Sequence, residues 1–401
     1  MAPSKTPARP IIIAGAGLGG VAAGLALAQR GFHVKILEAA AELGVIGYGI
    51  QLGPNVFAML RDLGIEKAVL ACAHVPPDVR MVDAYTGEDV LRLETGSAFR
   101  DRFGAPYVVI HRVDLHRCLL EACSKESNVE ILAASEITGF ETLEEGVRVN
   151  TSDGRSFDGS ALVGADGLGS LVRSKLIREE APKPVGYVAH RTIVPWSEAP
   201  KGAQRDEVIL WGGNGFHIVQ YPLRDKSLFN IVAVFRTQNL HERADPESYR
   251  RILMETYADA HPVMLEMLEM MDVTRRWVIA DRDPISQWSF GAVTLLGDAA
   301  HPTLQSYAQG ACMAIEDAII LADCAVQAKG DFTSAFKRYE KQRRLRTARI
   351  VLESRSLWRF YHLGGIAAEV RNEECATRTQ EDLHRCVQWI YDGAQRPDAA
   401  K

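Results

Sequence analysis

Two groups of residues in this chain have the types and spacing that chemistry needs. In the first, Gly15, Gly17 and Gly20 stand at G-x-G-x-x-G spacing between a β-branched run (Ile11–Ile13) and an Ala/Leu-rich stretch, and Glu38 closes the next strand-like run, Val34–Leu37. Glycine at the first position permits a tight turn, at the second lets a pyrophosphate approach the backbone, and at the third lets helix and strand pack closely. Amides at the helix N-terminus then face the phosphates, with the positive end of the helix dipole behind them. Glu38 can accept hydrogen bonds from a ribose diol, which argues for an unphosphorylated ribose, as in FAD or NAD, against the 2′-phosphate of NADP. The alternative is a glycine-rich turn in an ordinary βαβ unit. Strand, helix, strand and acid in the right order favour a dinucleotide.

The second group surrounds a histidine. Phe216, Ile218 and Gln220 alternate with His217, Val219 and Tyr221, so a strand here puts His217 and Tyr221 on one face. An imidazole with its ordinary pKa of ~6.5 can take a hydroxyl proton at neutral pH. Spacing alone fits a hydrogen-bonded core or surface histidine at least as well. Asp298 follows the apolar run Val293–Leu296, where a carboxylate can bond sugar hydroxyls or cap a helix. Arg112 opens a helix after a strand; its guanidinium can grip phosphates bidentately or pair with Asp114.

Other elements must position these groups. A glycine-dense loop (44–56) leads into a helix started by Pro54 or Asn55, and 79–104 reads as a hairpin about Thr86–Gly87. Tyr107–Ile110 is a short strand and 111–124 a helix. Val129–Leu132, Ile137–Glu141 and Val147–Thr151 read as a small meander leading to Ala161–Val163. From 182 to 279 the texture is strand-like, with a helical stretch from Pro246 to Met271; a long helix runs from Gly310 to Ala328, and charged helices follow. Asp166, in Gly164–Gly167, is expected to hold backbone amides or Arg173. The basic run Lys337–Arg346 reads as a solvated face.

The chain has 401 residues, 47% hydrophobic and 24% charged, with a net charge of −5. That mild acidity gives no footprint for nucleic acid. No stretch reaches the ~18–20 consecutive apolar residues of a membrane span, and the first nine residues lack the apolar core of a signal peptide. The seven cysteines are scattered without metal-ligand spacing, so no metal is expected, Cys118 and Cys123 read as buried thiols, and cytoplasm is the expected location.

Four signals coincide in order: Gly15/Gly17/Gly20 with Glu38; His111–Arg112–x–x–Leu115; Gly164–Ala165–Asp166–Gly167 with Ser170 and Arg173; and Gly297–Asp298–Ala299–Ala300–His301–Pro302. Over about residues 10–330 the set resembles the single-component, FAD-dependent aromatic hydroxylases of the para-hydroxybenzoate hydroxylase type. Gly215–Arg224 (GFHIVQYPLR) and His301–Gln305 (HPTLQ) are most similar to the branch that hydroxylates 3-hydroxybenzoate at position 6, with salicylate hydroxylases and 6-hydroxynicotinate 3-monooxygenases as neighbours.

The resemblance implies an α/β fold: a Rossmann-like, GR2-type FAD-binding domain with an inserted mixed-sheet substrate domain and C-terminal helices. The expected division is 1–78, 105–180 and 280–335 for FAD, 79–104 and 181–279 for substrate, and 336–401 for the helical segment. Gly15, Gly17, Gly20, Glu38, Arg112 and Asp298 would hold FAD non-covalently. The helix starting at Gly310–Ala311 would aim its amides at the pyrimidine end of the flavin, which is negative when reduced. No second dinucleotide fold is present, so NADH would bind transiently, reduce the flavin and leave. O2 would then give a flavin C4a-hydroperoxide that is attacked better by a phenolate than by a phenol, in a pocket that excludes water. His217 would be the base and Gln305 would reach the same hydroxyl, while Tyr221 would bind the carboxylate of a small aromatic acid or close the pocket. His301 is the rival base. Arg191 is a carboxylate partner or a structural ion pair, and Tyr48 lines the flavin's path or caps its loop. The expected reaction converts 3-hydroxybenzoate to gentisate. The alternatives are a salicylate 1-hydroxylase making catechol, a 6-hydroxynicotinate 3-monooxygenase, or, in another class, a non-oxygenating FAD dehydrogenase or redox-controlled interaction module. A homodimer is the usual expectation.

Overall fold

The computed structural model describes residues 9–44, 47–178, 181–238 and 245–394. Ile11–Ala14 is buried along its whole length, as a strand covered on both faces must be. It lies between Val34–Leu37 and Ala161–Gly164 and is parallel to both. Val129–Leu132 and Val293–Leu295 extend the parallel set outward, and Ser289–Phe290 closes one edge antiparallel. Each fully buried isoleucine of the central strand contributes roughly 1.5–3 kcal/mol. The helix Leu18–Gln29 is buried almost throughout because the helix Gly310–Gln327 covers the side that the sheet does not.

Val129–Leu132 is therefore not part of the expected meander. The three-stranded antiparallel sheet is Ile137–Thr142, Val147–Thr151 and Ser156–Gly159, the last a strand that the sequence reading passed over. The stretch 246–271 is two helices, Pro246–Thr256 and Pro262–Glu269, and 79–104 holds the hairpin plus a helix, Ser97–Phe103.

A seven-stranded sheet has the order Trp277–Asp281, Lys183–Pro195, Leu228–Arg236, Phe216–Leu223, Val208–Gly213, Asp78–Asp83, Asp89–Glu94. Neighbours are antiparallel except Val208–Gly213 and Asp78–Asp83. Its two faces differ as period-two alternation requires. Ile218, Ile231, Ala233 and Phe235 pack under Tyr249, Leu253 and Met264 of the two covering helices and under Tyr257, which caps the first of them. His217, Val219, Tyr221 and Val232 point the other way, into a cleft.

The helix Phe332–Tyr361 spans roughly 45 Å at 1.5 Å per residue and ties the two sheets together. Near its start Phe336 and Tyr339 enter the core of the parallel sheet; near its end Trp358 packs against Tyr187, Val232 and Val234. Its basic run is not simply a solvated face. Arg343 is fully buried, pairing with Asp317 at 2.6 Å and Glu316 at 2.8 Å, and Arg346 pairs with Glu316 at 2.8 Å. Burial works against all these charges, but their mutual attraction outweighs it, holding both carboxyls below and Arg343 above their ordinary ranges. Among the described residues no helix is long and apolar enough to cross a membrane.

Candidate active site

A cleft of about 1110 Å³ runs between the two sheets and under the C-terminal helices. At one end stands the glycine turn. Gly15 has φ +96, and a Cβ there would lie 2.6 Å from the Ala165 carbonyl oxygen; one on Gly20 would lie 2.0 Å from the Gly15 oxygen. Gly17 is the opposite case. A Cβ there would meet nothing within 4 Å, because its backbone faces the open cleft at the start of Leu18–Gln29. That is where a pyrophosphate needs room and helix-terminal amides. Glu38 stands outside the cleft lining, its carboxylate accepting from the amides of Ala16 (2.7 Å) and Ala40 (2.9 Å), which fixes it beside the turn.

Arg112, Asp298, Gly310 and Ala311 all line the same cleft. The Arg112 amide donates to the Tyr48 carbonyl at 2.9 Å, joining the start of its helix to the strand Gly49–Leu52. Asp298 is exposed to the open cleft, although the protein packed around it disfavours the charged form and holds its carboxyl above the ordinary range. One of its oxygens is 4.0 Å from where a Cβ on Gly310 would stand, so it sits at the N-terminus of the long helix. Asp166 accepts from the Val172 amide at 3.1 Å, and Arg173 donates to the Ala299 and Ala300 carbonyls, both at 2.9 Å, bracing the segment that carries Asp298.

At the other end are His217, Tyr221 and Gln305. His217 is 1% exposed, and its Nδ1 is 2.8 Å from Nε2 of His362. Burial, reinforced by His362, pushes the His217 imidazole well below 6.5; burial brings His362 down to about 4. Both rings are neutral at neutral pH. In the tautomer whose Nδ1–H donates to His362, Nε2 of His217 is the nitrogen left to take a proton. Tyr221 is buried against Gly49, and burial raises its phenol. Gln305 begins a short 3-10 turn, Gln305–Tyr307, that the long C-terminal helix holds in place. Ser306 Oγ donates to the Ser354 carbonyl at 2.9 Å, and Tyr361 Oη donates to the Ser306 carbonyl at 2.7 Å. The Gln305 amide oxygen accepts from Arg191 at 2.8 Å.

His301 does not line the cleft. Its Nε2 is 2.6 Å from Asp317, within the buried group that includes Arg343. Tyr48 meets Trp277 edge-on, with ring centroids 5.2 Å apart. Among the described residues no group of three or more His, Cys, Asp or Glu side chains could hold a metal ion.

Comparison with known proteins decides the family. The profile of the FAD binding domain family matches residues 8–354. A 3-hydroxybenzoate 6-hydroxylase from Polaromonas naphthalenivorans is 42% identical over 382 residues, 95% of each chain. One from Klebsiella oxytoca is 39% identical over 380 residues, covering 95% of this chain and 96% of that one. The chain belongs to the FAD-dependent aromatic hydroxylases. Among solved structures, Klebsiella pneumoniae HpxO complexed with FAD and uric acid matches with a TM-score of 0.84 at 26% identity, covering 96% of this chain and 97% of that one.

The residues of this hydroxylase fit FAD: open backbone at Gly17, a fixed acid at Glu38, and a carboxylate at the N-terminus of an 18-residue helix, Gly310–Gln327. Two buried residues, one at the site and one in the network behind it, carry no local signal of their place in the sequence. His362 lies 145 positions from His217, just past an aromatic cluster expected to pack on the body or on a partner subunit, and no spacing rule joins them. Arg343 lay hidden in a basic run. The signal that would have found it is Glu316–Asp317, two adjacent acids inside an apolar helix, because buried acids demand buried cations.

Proposed function

We propose that this hydroxylase converts 3-hydroxybenzoate to gentisate, adding one hydroxyl para to the existing one, with NADH as electron donor and O2 as the oxygen source. The observation that carries the reading is that His217, Tyr221 and Gln305 share one cleft with Gly17, Arg112, Asp298, Gly310 and Ala311, which fit FAD. The relatives named 3-hydroxybenzoate 6-hydroxylase, similar over nearly the whole chain, support the substrate; the choice of NADH rests on the family resemblance.

FAD, when bound, supplies the oxygen-transfer chemistry. The chain's own residues prepare the ring. Nε2 of His217 takes the phenolic proton, Gln305 bonds the same oxygen, and Tyr221 closes the pocket beside Gly49. Val79, Met81, Leu91 and Leu210 make an apolar wall that keeps water from the reacting atoms. We also propose that the parallel sheet and its helices form the FAD-binding domain, that the seven-stranded sheet forms the substrate domain, and that the protein is a cytoplasmic homodimer.

The test is product analysis with FAD-loaded protein, O2, and either NADH or NADPH. The reading predicts oxygen uptake with 3-hydroxybenzoate and accumulation of gentisate, faster with NADH. Catechol made from salicylate in preference, or NADH oxidation that no aromatic acid stimulates, would overturn it.

A further inference from the structure

Arg191 is a cation whose surroundings do not balance it. It sits on the strand Lys183–Pro195, opposite Val232, and lines the cleft. No carboxylate among the described residues pairs with it; its hydrogen bond goes to the neutral Gln305 amide at 2.8 Å. The other titratable groups that act on it are Tyr221, Tyr48 and Arg112; His217 and the carboxylates of Asp298 and Glu353 also open on the cleft, but neither carboxylate forms an ion pair with it. A guanidinium has donors and no acceptor, so the Gln305 oxygen must be the end facing Arg191. The amide NH2 is thereby turned away, and it has no acceptor among the described residues.

We infer that Arg191 is a positioning residue that turns Gln305 so that its NH2 group, and not its oxygen, meets the substrate's hydroxyl oxygen, thereby selecting the ionised phenolate. The inference rests on the proposed phenolic substrate. Arg191 draws the amide oxygen of Gln305 toward itself, so a neutral phenol places its O–H on Nε2 of His217, the path by which the proton leaves. A phenolate needs donors, and the amide supplies one, strengthened by the cation behind it. The turn beneath Gln305 is tied to Ser354 and Tyr361, so the amide's orientation is set by Arg191 and not by the backbone. The proton leaves the phenol oxygen for Nε2 of His217, and the oxygen then accepts the N–H of Gln305. Burial makes His217 a weak base, so ionisation needs this second contribution.

The experiment titrates 3-hydroxybenzoate bound to the FAD-loaded protein without NADH, reading the phenolate band by ultraviolet difference spectroscopy against pH. In the unmodified protein the bound phenol should ionise at lower pH than the free acid. Arg191→Met should raise its apparent pKa by ~1–2 pH units, and Arg191→Lys should recover part of that change. Gln305→Leu should raise it similarly and gives the same reading if Arg191→Met loses FAD. An unchanged titration in Arg191→Met, or in Gln305→Leu where that variant must serve, overturns the inference while leaving the proposed reaction intact. If the unmodified protein neither binds 3-hydroxybenzoate nor makes gentisate, the proposed function fails, and the role of Arg191 falls with it.

Discussion

Replacing His217 by alanine removes the imidazole from a site where nothing else on the same strand face can take a proton: Val219 is apolar, and burial raises the phenol of Tyr221. A phenol with an ordinary pKa near 10 gives its proton to an imidazole below 6.5 only uphill, by at least ~5 kcal/mol before any stabilisation of the phenolate. The step is therefore sensitive to every contribution. Loss of a general base typically costs ~10²–10⁴-fold, about 3–5 kcal/mol of barrier. His301 cannot substitute, because it is paired with Asp317 at 2.6 Å outside the cleft. FAD binding should survive, since His217 lies at the far end from the glycine turn. The assay follows NADH oxidation, gentisate and hydrogen peroxide together. His217→Ala should oxidise NADH at much of the original rate when 3-hydroxybenzoate is bound, while gentisate collapses and peroxide takes its place. Gentisate formed at the unmodified rate and coupling would refute the role of His217.

The remaining predictions concern the scaffold. Gly20→Ala places a Cβ 2.0 Å from a backbone oxygen of the Gly15 turn, so the turn must shift; lowered flavin content and melting temperature are expected, and an unchanged flavin-to-protein ratio would contradict the account. Arg343→Met leaves Asp317 and Glu316 without a buried partner, which should cost ~3–5 kcal/mol in urea unfolding, whereas a change under 1 kcal/mol would deny the network its role. Because His217 and His362 are neutral in the folded protein, the unfolded chain takes up more protons as pH falls below 6.5. Stability should be intact above pH ~6.5 and decline toward pH 4, with His362 alone contributing ~3 kcal/mol. A flat urea midpoint across that window would count against a buried neutral pair.

What the sequence made legible follows from what each pattern constrains. The strand, glycine turn, helix and strand from Ile11 to Glu38 were readable because every position is restricted by a turn, a close approach or burial on all sides. The shared face of His217 and Tyr221 was readable because period two is rigid. Val129–Leu132 was assigned to the wrong sheet because a short apolar run does not say which strand it joins, and its partner, Val34–Leu37, lies far back in the chain. Arg191 stayed undecided because one cation on a strand carries no sign of its partner. The C-terminal helices hid their contribution, although Leu357, Phe360 and Tyr361 line the cleft, because their apolar positions suit a core or a partner subunit equally well.

The most direct test of the account supplies ¹⁸O₂ to the FAD-loaded protein with NADH and 3-hydroxybenzoate and locates the label in the product by mass spectrometry. The account predicts gentisate carrying one ¹⁸O, in the hydroxyl para to the original one. Gentisate labelled from water, or a labelled product hydroxylated at a different carbon, would contradict it.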